Sequence, residues 1–121
     1  MSDEFTVYAL EQLEAVGSFK ATRFFGGLGL SRGGTQFGFI GGGSLYFVVD
    51  DETRPKYEAA GMSCFAYDTK KRRVQVRRYY EVPEDVLSDP DSLREWANES
   101  VRVAALRPRP KRRSQTRRRR S

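Results

Sequence analysis

The sequence predicts an α+β domain, an antiparallel sheet packed with helices in the order α-β-β-β-α-β-β-α, followed by an arginine-rich tail. Three observations carry this expectation. Apolar residues recur at helical spacing at both ends of the domain. Between those ends, glycine clusters separate short runs rich in aromatic and β-branched residues. After Leu106 the composition changes abruptly to arginine and proline.

From Phe5 to Val16, the residues Phe5, Val7, Tyr8, Leu10, Leu13 and Val16 fall mostly three or four apart, and Gly17 supplies a stop. Three strands are expected next, at Thr22 to Ser31, Thr35 to Ile40 and Ser44 to Val49. Gly33-Gly34 and Gly41-Gly42-Gly43 separate them and permit the positive φ that tight hairpins need. Strands joined so tightly must run antiparallel. In Ser44 to Val49, Leu45, Phe47 and Val49 alternate with Tyr46 and Val48, so both faces are apolar and the strand should be central or covered.

Asp50 or Asp51 can cap a second helix reaching about Ala60, with Pro55 tolerated in its first turn and Gly61 ending it. Strands at Cys64 to Thr69 and Arg73 to Tyr80 follow, joined by the charged turn Lys70-Lys71-Arg72. The last helical region opens at Pro83 to Leu87 and restarts at Asp89-Pro90, an N-cap followed by a preorganised first residue. Leu93, Trp96, Ala97, Ser100, Val101 and Ala104 then share one face, which should pack on the sheet or on a helix. Pro108 and Pro110 end helical geometry, and residues 107–121 have nothing apolar to bury. We therefore expect a folded domain over residues 1–106 and a tail, disordered when free, over residues 107–121.

The 121 residues, with 38% hydrophobic content, eight Phe, six Tyr and one Trp, suffice for one modest core. No apolar run approaches the ~20 residues that cross a bilayer, and the N-terminus does not read as a signal peptide, so a cytoplasmic location is expected. The one cysteine, Cys64, suits a reducing compartment and reads as a small half-buried residue. The net charge of +6 divides unevenly. Residues 107–121 hold nine basic side chains and no acidic one, while residues 1–106 hold 13 basic against 16 acidic, a net of −3.

Phe24-Phe25-Gly26-Gly27-Leu28-Gly29-Leu30, Phe37-Gly38-Phe39-Ile40, Leu45-Tyr46-Phe47-Val48-Val49-Asp50 and Tyr57-Glu58-Ala59-Ala60-Gly61 strongly resemble, in order and spacing, the TfoX/Sxy N-terminal domain. Phe65-Ala66-Tyr67, Tyr79-Tyr80, Val82-Pro83-Glu84 and the Leu93 to Trp96 helix extend the likeness over roughly residues 5–106. The resemblance implies a two-layer α+β domain and a regulatory role like that of competence (DNA transformation) regulators, without catalytic residues. The full-length regulators carry a second, helical C-terminal domain. This sequence has the short arginine tail in its place.

With no histidine, the sequence lacks the commonest general base and transition-metal ligand, which excludes Ser-His and Cys-His catalysis. No enzymatic activity, cofactor, metal or small-molecule substrate is expected. The acidic pairs Asp50-Asp51 and Glu84-Asp85 stand where helices begin, so dipole stabilisation explains them better than a metal or acid-base role. Gly27-Leu28-Gly29-Leu30-Ser31-Arg32-Gly33 has neither the spacing nor the following helix of a phosphate loop, and hairpin geometry accounts for its glycines.

Two basic features remain. Alternation in Arg73 to Tyr80 places Val74, Val76 and Tyr80 on one face and Arg73, Gln75, Arg77 and Tyr79 on the other. That second face is a solvated surface, or its arginines pair with acidic neighbours, or, less simply, it is a phosphate-contacting stripe made by Arg73, Arg77 and Tyr79. In the tail, Arg107, Arg109, Lys111, Arg112, Arg113, Arg117, Arg118, Arg119 and Arg120 have no acidic neighbour, and their expected ligand is DNA or RNA bound without sequence preference. A dispensable solubilising extension is the alternative. Anionic membrane would attract the tail too, but no insertion is expected. For the folded domain, a protein partner or a second copy of the chain is the expected contact, and an interaction module with no nucleic-acid role is the competing reading.

Overall fold

The structure, a computed structural model, describes residues 4–24 and 26–106. Helix α1 (Glu4–Glu14) precedes strands β1 (Lys20–Phe24), β2 (Gly27–Arg32), β3 (Thr35–Gly41) and β4 (Ser44–Val48). Helix α2 (Arg54–Ala59), strands β5 (Cys64–Asp68) and β6 (Arg73–Glu81), and helices α3 (Glu84–Leu87) and α4 (Pro90–Leu106) complete the order. The strands form one antiparallel sheet in the order β1-β2-β3-β4-β6-β5. The α+β class and the element order expected from the sequence hold, and β4, apolar on both faces, lies inside the sheet. Among the described residues no helix is long and apolar enough to cross a membrane.

The run Thr22 to Ser31, expected as one strand, is two. The chain reverses at Gly26, whose φ of 78° a side chain would resist, and β1 returns along β2 with Phe24 opposite Gly27. Consecutive aromatics and glycines there hide the reversal from a reading of periodicity.

One cluster joins all four helices to the sheet. Leu13 of α1, Tyr57 of α2, Leu87 of α3 and Leu93 and Ala97 of α4 meet Leu30, Phe37, Ile40, Leu45, Phe47 and Tyr80. Each large side chain buried there contributes about 1.5–3 kcal/mol. Phe37 reaches this cluster through a bulge: Leu30 pairs with Gly38 but Ser31 pairs with Gln36, which leaves Phe37 as the extra residue of β3. Phe39, two residues on, packs in a separate cluster with Val48 and Tyr79. Without the bulge, alternation would hold both phenylalanines on one face.

The bulge is tied to α4. The buried Ser100 hydroxyl donates to the Phe37 carbonyl at 2.7 Å and lies 3.0 Å from the Val48 carbonyl, so one proton serves two strands. Beyond Ser100, Val103 joins the second cluster and Ala104 packs against both. The last turn of α4 therefore sits at the rim between the two faces of the sheet.

Two buried hydroxyls predict opposite outcomes. Ser100→Ala leaves two buried carbonyls without their donor and should lower the stability read from urea unfolding by about 1–3 kcal/mol. Tyr57→Phe removes a buried hydroxyl that has no hydrogen-bond partner among the described residues, so the same measurement should show unchanged or increased stability.

Candidate binding surfaces

The sheet separates the three residues of the stripe expected on β6. Phe65 pairs with Val76, yet the next residue back, Cys64, pairs with Tyr80, so β6 advances four residues while β5 advances one. Three extra residues, an odd number, exchange the faces. Tyr79 thus lies with Phe39 and Val48, 5% exposed, and its hydroxyl accepts a hydrogen bond from Gln36 Nε2 at 3.1 Å. Tyr80, expected beside Val74 and Val76, turns instead into the helix-side core.

Arg73 and Arg77 remain on the helix side of the sheet edge. Arg73 pairs with Asp68 at 3.2 Å, and Arg77 with Glu58 at 3.7 Å. Exposed pairs of this kind hold about 0–1 kcal/mol and leave the arginines largely available. Gln75, Arg77 and Tyr80 line an open groove of about 230 Å³ with Glu58, Met62, Ser63 and Cys64. The Tyr80 hydroxyl donates to Glu58 at 2.8 Å, and burial, together with the neighbouring carboxylate, holds the phenol above its ordinary value. It is a fixed proton donor at neutral pH. The tail residues Arg107, Arg109, Lys111, Arg112, Arg113 and Arg117 to Arg120 lie outside the described residues.

The opposite face of the sheet holds what the sequence reading did not assemble. Around the buried Phe39 ring, Tyr46 stacks with centroids 4.9 Å apart, and Phe65 and Tyr79 approach edge-on at 4.8 and 5.0 Å. Phe24 stands 5.1 Å from Phe39, and Tyr67 lies 5.9 Å from Phe65. Among the described residues the helices give this cluster only Val103 and Ala104, both from the last turn of α4. Tyr46 and Phe65 are half-buried and Tyr67 is 39% exposed, so the aromatic surface grades from a closed centre to an open margin. The signal in the sequence was the alternation Phe65-Ala66-Tyr67 beside the two-faced β4. Only the pairing of distant strands brings them together.

The family model of the TfoX N-terminal domain matches residues 11–104. The chain belongs to that family. Among curated proteins none matches it. The TfoX N-terminal domain is a regulatory type of domain associated with competence regulation.

In this TfoX N-terminal domain the acidic pairs act locally. Asp50 Oδ1 accepts hydrogen bonds from the backbone N–H groups of Glu52 and Thr53 at 3.0 and 2.9 Å, and the Thr53 hydroxyl accepts one from the Asp50 N–H at 3.0 Å. Thr53, not an aspartate, immediately precedes α2, so Asp50 closes the turn ahead of the helix while Asp51 pairs with Arg54 at 2.8 Å. Glu84 and Asp85 stand in the first turn of α3. Asp89 caps α4 as expected, accepting from the Ser92 N–H at 3.1 Å and its hydroxyl at 2.6 Å. Among the described residues no three His, Cys, Asp or Glu side chains gather as metal ligands would.

These bonds favour the ionised carboxylates. The Thr53 N–H lowers the pKa of Asp50, and the Ser92 hydroxyl lowers that of Asp89, both below the ordinary 3.8. A depressed carboxylate pKa contributes stability above the unfolded value and loses it as the pH falls through the folded one. Asp89→Ala should therefore weaken the protein at neutral pH while shrinking the loss of stability between neutral pH and acid below 3.8, as followed by thermal melts. An unchanged acid loss would mean that the cap carries no linkage.

Proposed function

We propose that the chain is a non-catalytic regulatory or adaptor domain of the competence-regulator type, cytoplasmic, whose folded part contacts protein and whose basic tail binds nucleic acid non-specifically. The observation that carries this reading is membership of a regulatory family by a domain joined to nine cations within fifteen residues. Lysine and arginine contacts to phosphate release condensed counterions, which makes such binding strong at low salt and indifferent to base sequence. The tail suits a positioning role, holding the domain near DNA or RNA while another protein selects the site.

A second reading, a plain protein-interaction module, draws on β1. Its residues Lys20 to Arg23 are exposed, and it forms one edge of the sheet, paired on a single side. An edge strand can accept another strand, although Lys20 and Arg23 oppose pairing with a second copy of themselves. Monomeric mass in solution, with no protein partner recovered by the domain, would count against it.

The tail's part is tested by titrating a labelled duplex with the full chain and with residues 1–106 at low and moderate salt. The full chain should bind with a steep salt dependence, near −0.9 in log-log slope for each phosphate neutralised, and the shortened chain should lose most of the affinity and slope. Equal affinity in both would remove the tail from the function.

A further inference from the structure

Charge in the folded domain is divided by layer. Residues 20–49 and 63–82, which hold all six strands and their tight turns, carry nine basic and two acidic side chains, a net of +7. Residues 4–19, 50–62 and 83–106, which hold the four helices, carry four basic and thirteen acidic, a net of −9. The mildly negative total conceals a domain with a basic sheet layer and an acidic helix layer. Of the two carboxylates in the sheet layer, Asp68 is paired with Arg73 and Glu81 accepts a hydrogen bond from the Ser44 hydroxyl at 2.9 Å.

The aromatic face belongs to the basic layer. At its margin, Tyr67 pairs with Val74 across the β5–β6 hairpin, and the turn closing that hairpin is Lys70-Lys71-Arg72, all exposed and without an ion pair among the described residues. The Arg78 guanidinium lies 5.3 Å from the ring centroid of Tyr79. α4 delivers the chain to the rim of the same face, since Ala104 touches its cluster and Leu106, 76% exposed, is followed directly by the nine-cation tail. Half-exposed rings flanked by unpaired cations form a stacking platform beside a phosphate track, the two elements that single-stranded nucleic acid requires. A duplex keeps its bases stacked inside and offers no ring for Tyr67 to meet.

We infer that the aromatic face of the sheet binds single-stranded nucleic acid, with bases stacking on Tyr67, Phe65 and Tyr46 and phosphates met by the Lys70-Lys71-Arg72 turn and Arg78. The inference rests on the nucleic-acid reading above and adds to it a strand preference and a location. Charge complementarity selects this occupant over a second copy of the chain, because two copies that each bring Lys70, Lys71, Arg72 and Arg78 to the margin of this face repel face to face.

The test uses the full chain, a labelled oligothymidylate of about 12 nucleotides, within the usual site size of about 4–16, and a duplex of similar length. Wild type should prefer the single strand. Tyr67→Ala should weaken single-strand binding about tenfold and leave duplex binding unchanged, whereas Tyr67→Phe, which keeps the ring, should retain it. Lys71→Glu, in an exposed turn that bears no core contact, should weaken single-strand binding without touching the fold. If both Tyr67→Ala and Lys71→Glu bind the single strand as wild type does, the inference is overturned while tail binding stands. Failure of wild type to bind either probe overturns both. A dimeric mass that Tyr67→Ala converts to monomer assigns the face to a second copy and equally overturns the inference.

Discussion

The fold turns on one hydroxyl. Ser100 reaches from α4 to carbonyls of β3 and β4 at the point where Phe37 interrupts the ladder, and so fixes the helix layer against an irregular sheet. A regular β3 would commit its phenylalanines to a single face. The bulge sends Phe37 to the helices and leaves Phe39 as the centre of the opposite cluster. The long shift between Cys64 and Phe65 does the same for β6, where Tyr79 and Tyr80 enter different clusters. Two departures from alternation therefore allow a six-stranded sheet to be aromatic on both sides. Backbone polar groups freed by such departures need partners, and a buried serine is the smallest side chain that supplies one without filling the core.

Much of this was legible in the sequence because local chemistry encoded it. The helical spacing of α1 and α4, the glycine turns, the Asp89-Pro90 start and the two-faced β4 all follow from residues a few positions apart. The aromatic face was not legible, because Phe39 and Tyr46 meet across the β3–β4 hairpin but Phe65 and Tyr67 of β5 join them only through the long-range pairing of β4 with β6. The misplacement of Tyr79 has the same origin. Period-two alternation holds within a regular ladder, and three extra residues in β6 shift its phase in a way no composition reveals. The hairpin at Gly26 escaped for a local reason: glycines and aromatics inside one apolar run gave no break in pattern.

The distribution of charge changes how the candidate site is understood. Totals suggested an acidic domain with a basic appendage, yet most of the carboxylates stand in the helix-bearing segments and most of the domain's cations in the strand-bearing ones. Helix starts account for part of the acidic side: Asp89 caps α4, Glu84 and Asp85 stand in the first turn of α3, and Asp50 and Asp51 stand just ahead of α2. No comparable structural need concentrates Lys70, Lys71 and Arg72 at one hairpin end beside Tyr67. The domain is thus polarised, with carboxylates concentrated in the helix-bearing segments and a basic margin beside the aromatic face, at whose rim α4 ends.

The most direct measurement is photocrosslinking of a halogenated-uracil oligonucleotide to the full chain, with the attached residues identified by mass spectrometry. The layered account predicts adducts on Tyr46, Phe65 or Tyr67 in addition to the tail, and none on the helices. Adducts confined to residues 107–121, or spread over α1 and α4, would contradict it.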